Sequence, residues 1–186
     1  MIFLRNIYSW LRWLPAVTLM SLLFLSSSQS YQEQTLVPNI EKSTSERSIA
    51  DFFGELSFSY GGHEISVESV GGAGFIEFFI RKAAHFFCYA LLAALFIFAL
   101  MGSAPADKKR SFSGKKLRAL FFYSVLLSFL YACSDELHQS LTPGRTALVQ
   151  DVLLDTLGAT CGGLFTILLI RWRSRKRRGR PGYYIS

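Results

Sequence analysis

Only three cysteines occur in the 186 residues, Cys88, Cys133 and Cys161, each within or at the edge of an apolar run. Cysteine in such places acts as a small apolar residue, so no disulfide framework is expected. Also missing are a nucleophile elbow, a phosphate-cradling glycine loop and the ligand spacing of a recognised zinc motif. No internal repeat is visible and no helix is broken at mid-depth, which removes the sequence signature of a secondary transporter. Acidic residues are few beside basic ones, 13 against 20, giving a formal net charge of +7.

Apolar side chains are abundant: 51% of residues, 15% aromatic, with mean hydropathy +0.29. They gather in four blocks, residues 8–26, 83–101, 119–134 with a polar end to about 139, and 149–170. A hydrocarbon core about 30 Å thick takes roughly 20 helical residues, so the blocks predict membrane spans. The first is the least regular. Its run from Trp13 to Leu25 follows Arg5 and Arg12 and ends in Ser26-Ser27-Ser28, which also describes a signal peptide. A retained span over Ile7 to Ser28, with Arg12 snorkelling, is the preferred reading.

Basic residues fix the expected orientation. Arg5 and Arg12, six Lys and Arg in 102–118, and seven in 171–186 place 15 of the 20 on one side, joined by one acid, Asp107. Cytoplasmic loops carry such an excess, so four spans with both termini in the cytoplasm of a bacterial plasma membrane fit the pattern. The basic tail directly after a span points to anionic lipid rather than nucleic acid as its partner.

Between the first two spans, residues 29–50 are rich in Ser, Thr, Glu and Gln and read as a flexible linker. Residues 55–70 read as a β-hairpin around Gly61-Gly62, with Phe58 opposite Ile65 and Leu56 opposite Val67. A lone hairpin is marginal in water, so its apolar face should rest on the membrane surface or on the helices. Gly71 to Gly74 reads as a break, and Phe75 to Ile80 as an aromatic interfacial turn.

Ionisable residues inside spans cost about 2.5 to 3.5 kcal/mol each at the bilayer centre, so they usually face other helices. At 100° per residue, Lys82, His85 and Tyr89 share one face of the second helix; Tyr131, Asp135, His138 and Gln139, with Glu136 beside them, share one face of the third. Asp151, Asp155, Gly158 and Gly162 line the fourth, where Gly158 and Gly162 have the spacing for close helix approach. With Arg145 in the preceding turn, all these groups fall toward the outer end of the spans. They predict an outward-facing polar pocket. His85, His138 and the carboxylates are suitable metal-ligand types, but their spacing matches no known motif, and no metal or other cofactor is expected.

These residues also carry a resemblance. Leu14-Pro15 with Phe24 to Gln29, then Arg81-Lys82-Ala83-Ala84-His85-Phe86, then Ser134-Asp135-Glu136-Leu137-His138-Gln139 through Pro143-Gly144-Arg145, and Asp151 through Asp155 to Gly158, resemble the VanZ-like family of small bacterial membrane proteins. Where many relatives read His-Phe-x-Glu-Tyr, this chain has Cys88 before Tyr89, so a role for that glutamate passes to Asp135 or Glu136 or is absent. The resemblance implies that the first helix is kept as a span. It also implies a link to resistance against teicoplanin, which acts on lipid-linked cell-wall precursors at the outer surface.

The expected fold is all-α and integral to the membrane: a four-transmembrane-helix bundle with a small extracytoplasmic β-hairpin. Helix 1 takes residues 1–28, the outer loop 29–74, a three-helix core 75–170 and a basic cytoplasmic tail 171–186. The expected partners are membrane lipids and a lipid-linked envelope precursor, with Lys82 and Arg145 contacting its anionic head group. Two alternatives stand beside binding: a membrane-embedded hydrolase or transferase using a carboxylate–histidine pair, and a non-catalytic envelope scaffold docking through the hairpin.

Overall fold

The structure, a computed structural model, describes residues 10–29, 34–102, 113–142 and 146–178, with residues 177 and 178 described by backbone alone. In chain order the elements are α1 (Leu14–Ser27), α2 (Val37–Ser43), α3 (Glu46–Phe53), β1 (Ser57–Tyr60), β2 (His63–Ser66), α4 (Val67–Leu100), α5 (Gly114–Ser140) and α6 (Val149–Arg178). Three helices, α4, α5 and α6, are long and apolar enough to cross a membrane. The fourth expected span is shorter: α1 has 14 residues, about 21 Å at 1.5 Å per residue. The proposed start of that span at Ile7 lies outside the described residues.

Contacts fix how the helices run. Ser27 of α1 meets Asp135 near the end of α5, while Arg12 donates to the Gly102 carbonyl just past α4. Gly158 and Gly162 of α6 lie against Phe86 and Ala90 of α4. Hence α4 and α6 run parallel, with α1 and α5 opposed to them. One end of the bundle carries the hairpin. The other carries Lys115, Lys116, Arg118 and the basic stretch after Ile170.

The distribution of polarity is inverted relative to a water-soluble domain. Phe87, Leu91, Phe122, Leu130, Leu157 and Phe165 are exposed, whereas Glu77, Asp135, Glu136 and Asp155 are buried. Water would favour the opposite arrangement; hydrocarbon around the helices favours this one. Inside, an apolar core joins Tyr89, Leu92, Ala93 and Phe96 of α4 to Ala16 and Leu23 of α1, Ala132 of α5 and Ala159 of α6. A second core, Ile97, Leu117, Leu120 and Ile167, closes the basic end.

The hairpin is two antiparallel strands with Phe58 opposite Ile65. Gly61 (φ 61°) and Gly62 (φ 82°) supply the two positive φ values that a tight two-residue turn of this hand requires. Its face rests on α4: Phe58 packs against Phe75, Phe78 and Phe79, and Tyr60 against Phe78.

Three local expectations need correction. Leu56 does not pair with Val67, because the ladder ends at Ser57 opposite Ser66 and Val67 is the first residue of α4. A reciprocal cap starts that helix: the Ser69 amide donates to the Ser66 hydroxyl at 3.1 Å and the Ser66 amide to the Ser69 hydroxyl at 3.0 Å. Residues 75–80 are therefore helical rather than an interfacial turn, and the expected glycine break shrinks to a kink at Gly71 (φ 75°, ψ 159°). Finally, the 29–50 stretch is no linker over its second half, since α2 and α3 occupy it. Ile49 of α3 is buried against Gly72, where a Cβ would lie 3.2 Å from it. Composition suggested disorder; a tertiary contact supplied the missing apolar burial.

Candidate functional site

At the hairpin end a cavity of about 690 Å³ lies among α1, α4, the hairpin and the residues before α6. Its lining mixes apolar Leu23, Leu36, Val37 and Ile65 with polar Ser27, Lys82, His85, Gln139 and Asp151. Helical spacing puts Lys82 and His85 on the same face of α4, and Asp151 and Asp155 on the same face of α6. Parallel packing of these helices then sets the pairs level. Lys82 binds the Asp151 carboxylate, and His85 Nδ1 lies 3.4 Å from Asp155 Oδ2.

Asp151 has a further partner that sequence reading missed. The Tyr60 hydroxyl donates to the same carboxylate oxygen, and the Lys82 ammonium sits 4.6 Å from the centre of the Tyr60 ring. The hairpin thus contributes a side chain to the polar cluster. Burial pushes the Tyr60 phenol above its ordinary pKa, and the neighbouring Asp151 carboxylate adds to the shift, so it remains a donor.

A deeper layer joins α5 to α1 and α6. Asp135, 3% exposed, accepts from the Ser27 hydroxyl at 2.5 Å and from the Gln139 amide at 3.3 Å. His85, Asp135 and Asp155 each present one donor atom within 4.8 Å of the others. Glu136 accepts the Leu148 amide at 2.9 Å, so its carboxylate satisfies a main-chain donor at the start of α6. Tyr89 is fully buried in the apolar core beside Tyr131.

Of the expected pocket residues, Tyr89, Asp135, Glu136, His138 and Asp155 are not part of the cavity lining. His138 turns toward α1, stacking on Phe24 with ring centres 4.2 Å apart and lying 3.0 Å from the Ser28 hydroxyl. Arg145 lies outside the described residues. Gly158 and Gly162 mark where α6 touches the α4 main chain; a Cβ at either would overlap the Phe86 or Ala90 carbonyl oxygen.

Glu77 was not singled out from the sequence, yet it is fully buried. It accepts the Leu36 amide and the Thr35 hydroxyl, each at 3.1 Å, and pairs with Arg81 one turn on at 2.8 Å. This carboxylate ties the chain before α2 to α4 and so holds Leu36, which lines the cavity. The available signal was a single acid inside the aromatic run from Phe75 to Ile80, four residues before an arginine.

A family model described as VanZ/LLP1 matches residues 12–171, nearly the whole of the described chain. The protein belongs to the VanZ-like family. No curated protein matches it, and no solved structure does. The matched region of this VanZ-like protein takes in α1, α4, α5 and most of α6, with every cavity-lining residue named above.

Proposed function

We propose that this VanZ-like protein sits in the bacterial plasma membrane with its hairpin end outward and its termini in the cytoplasm, and that its cavity holds the anionic head group of a lipid. The basic residues gathered at the opposite end support the orientation through the positive-inside tendency. The single observation that carries the ligand class is the cavity's mixed lining, in which apolar side chains stand beside Lys82, His85 and Gln139. Such a lining suits an amphiphile. Lys82, already held by Asp151 and Tyr60, would exchange one anionic partner for another without leaving its place.

A lipid-linked cell-wall precursor is the substrate-like occupant this reading favours, because it presents phosphate at the outer leaflet beside an apolar tail. That choice places the protein on the molecules that teicoplanin acts on. The scaffold alternative is weaker, since the hairpin spends its apolar face on Phe75, Phe78 and Phe79 rather than presenting it to a partner.

Mass spectrometry of lipid co-purified with the intact protein tests the reading. A phosphate-bearing polyprenyl lipid should be enriched with the wild type and depleted at least tenfold with Lys82→Met. Identical lipid profiles, each matching the bulk membrane, would remove the head-group proposal. In a teicoplanin-sensitive host, expression of the wild type should raise tolerance and Lys82→Met should not.

A further inference from the structure

We infer that His85, Asp135 and Asp155 form a binding site for one divalent first-row transition ion, built between α4, α5 and α6 and reached from the cavity past His85. The site goes beyond head-group binding and does not depend on it. Its donors come from three helices, so no spacing along the chain could announce it.

Geometry comes first. The three donor atoms lie within 4.8 Å of one another, and two of them, His85 Nδ1 and Asp155 Oδ2, are 3.4 Å apart. Two ligand atoms about 2.1 Å from a shared ion at a tetrahedral angle are separated by roughly that distance. Protein ligands then number three, leaving a position open toward the cavity, where His85 forms part of the lining.

Charge points the same way. Asp135 and Asp155 are 3% and 1% exposed, and a positive charge shared between two carboxylates this close would stabilise both in a low-dielectric interior. Lys82, on the next turn toward the hairpin, is engaged with Asp151. Both Asp135 oxygens accept hydrogen bonds, from Ser27 and Gln139, which hold the carboxylate in place. One divalent ion neutralises the pair outright.

An independent sign is an orphaned atom. Asp155 Oδ1 is buried and has no hydrogen-bond partner among the described residues, although its side chain is locked between helices. A buried carboxylate oxygen left without a donor is costly, and an ion held by Asp155 through both Oδ1 and Oδ2 removes that cost. One imidazole nitrogen with two carboxylate oxygens favours Mn²⁺, Fe²⁺ or Zn²⁺ over the all-oxygen choices of Ca²⁺ and Mg²⁺. Ser27 and Gln139 then orient the Asp135 ligand from behind.

The test is a titration of the tag-free, chelator-treated full chain in detergent with Co²⁺, followed by its visible d–d bands and by Zn²⁺ competition. Saturation is expected at one equivalent. The chain has only three histidines, so a His63→Ala/His138→Ala double variant leaves His85 alone and should bind as the wild type does. Asp155→Asn should weaken binding about a hundredfold, and Gln139→Leu about tenfold or more as a positioning change. Absence of Co²⁺ bands from the monodisperse wild type would overturn the site. So would loss of binding in the double histidine variant, or wild-type affinity in a monodisperse Asp155→Asn. Because no lipid phosphate enters the titration, failure of the head-group reading leaves its outcome unaffected.

Discussion

The same two helices meet in opposite ways at the two ends of the bundle. At Phe86/Gly158 and Ala90/Gly162, α4 and α6 are in main-chain contact because glycine removes the side chain that would hold them apart. Toward the hairpin they meet through side chains, Lys82 with Asp151 and His85 with Asp155. Closing a pair of helices takes small residues. Holding a cavity open beside them takes large polar ones whose charges are matched, and the hairpin and α2 then cover what the helices leave uncovered.

The contrast is broken most severely at its closed end. Gly162→Leu should destabilise the protein by about 3 kcal/mol, because the atom it strikes is main chain and cannot swing aside. Thermal unfolding in detergent measures this, and an unchanged midpoint would mean that α4 and α6 are not packed through their glycines. Gly114, where a Cβ meets nothing within 4 Å, serves as the neutral control.

At the open end the strongest expected effect is Glu77→Ala, which leaves the Leu36 amide, the Thr35 hydroxyl and Arg81 without their buried acceptor. A loss of about 2 kcal/mol is expected. It should appear as faster proteolysis within residues 34–53, with the far core at Ile97 and Ile167 still protected from hydrogen exchange. Uniform loss of protection would instead show that the two ends unfold as one unit.

Gly71→Ala should cost about 1 to 3 kcal/mol, since φ 75° with ψ 159° is a region essentially reserved for glycine. The readout is again the unfolding midpoint. The smallest effect is expected for Tyr60→Phe. The native Tyr60 pKa is raised, so its contribution is complete below the ordinary phenol value, about pH 10, and is lost as pH rises beyond it. The wild type should therefore lose more stability than Tyr60→Phe between neutral and strongly alkaline pH. Parallel pH profiles would show that the phenol is not buried against Asp151.

Much of the fold could be read from local pattern. Apolar blocks of the right length marked α4, α5 and α6, and the alternation around Gly61-Gly62 marked the hairpin with Phe58 opposite Ile65. The errors fell where local pattern conflicted with distant contacts. The polar composition of residues 29–50 hid α2 and α3, whose order comes from Glu77 and Gly72 more than twenty residues later. Helical arcs identified the polar faces but not their pairings: the contacts of His138 with Phe24 and Ser28 of the first helix segment, and the parts played by Tyr60 and Glu77, were left out.

By itself the sequence determined which segments prefer hydrocarbon, where the chain turns tightly and which helix faces are polar, because each depends on residues within a few positions of one another. Only the tertiary structure decided that α6 packs against α4 at Phe86 and Ala90, that Lys82 is taken by Asp151, and that His85, Asp135 and Asp155 converge. Those outcomes depend on relative height and rotation among separate helices. Glycine contacts and buried charge pairs fix these quantities, and no periodicity along a single segment contains them.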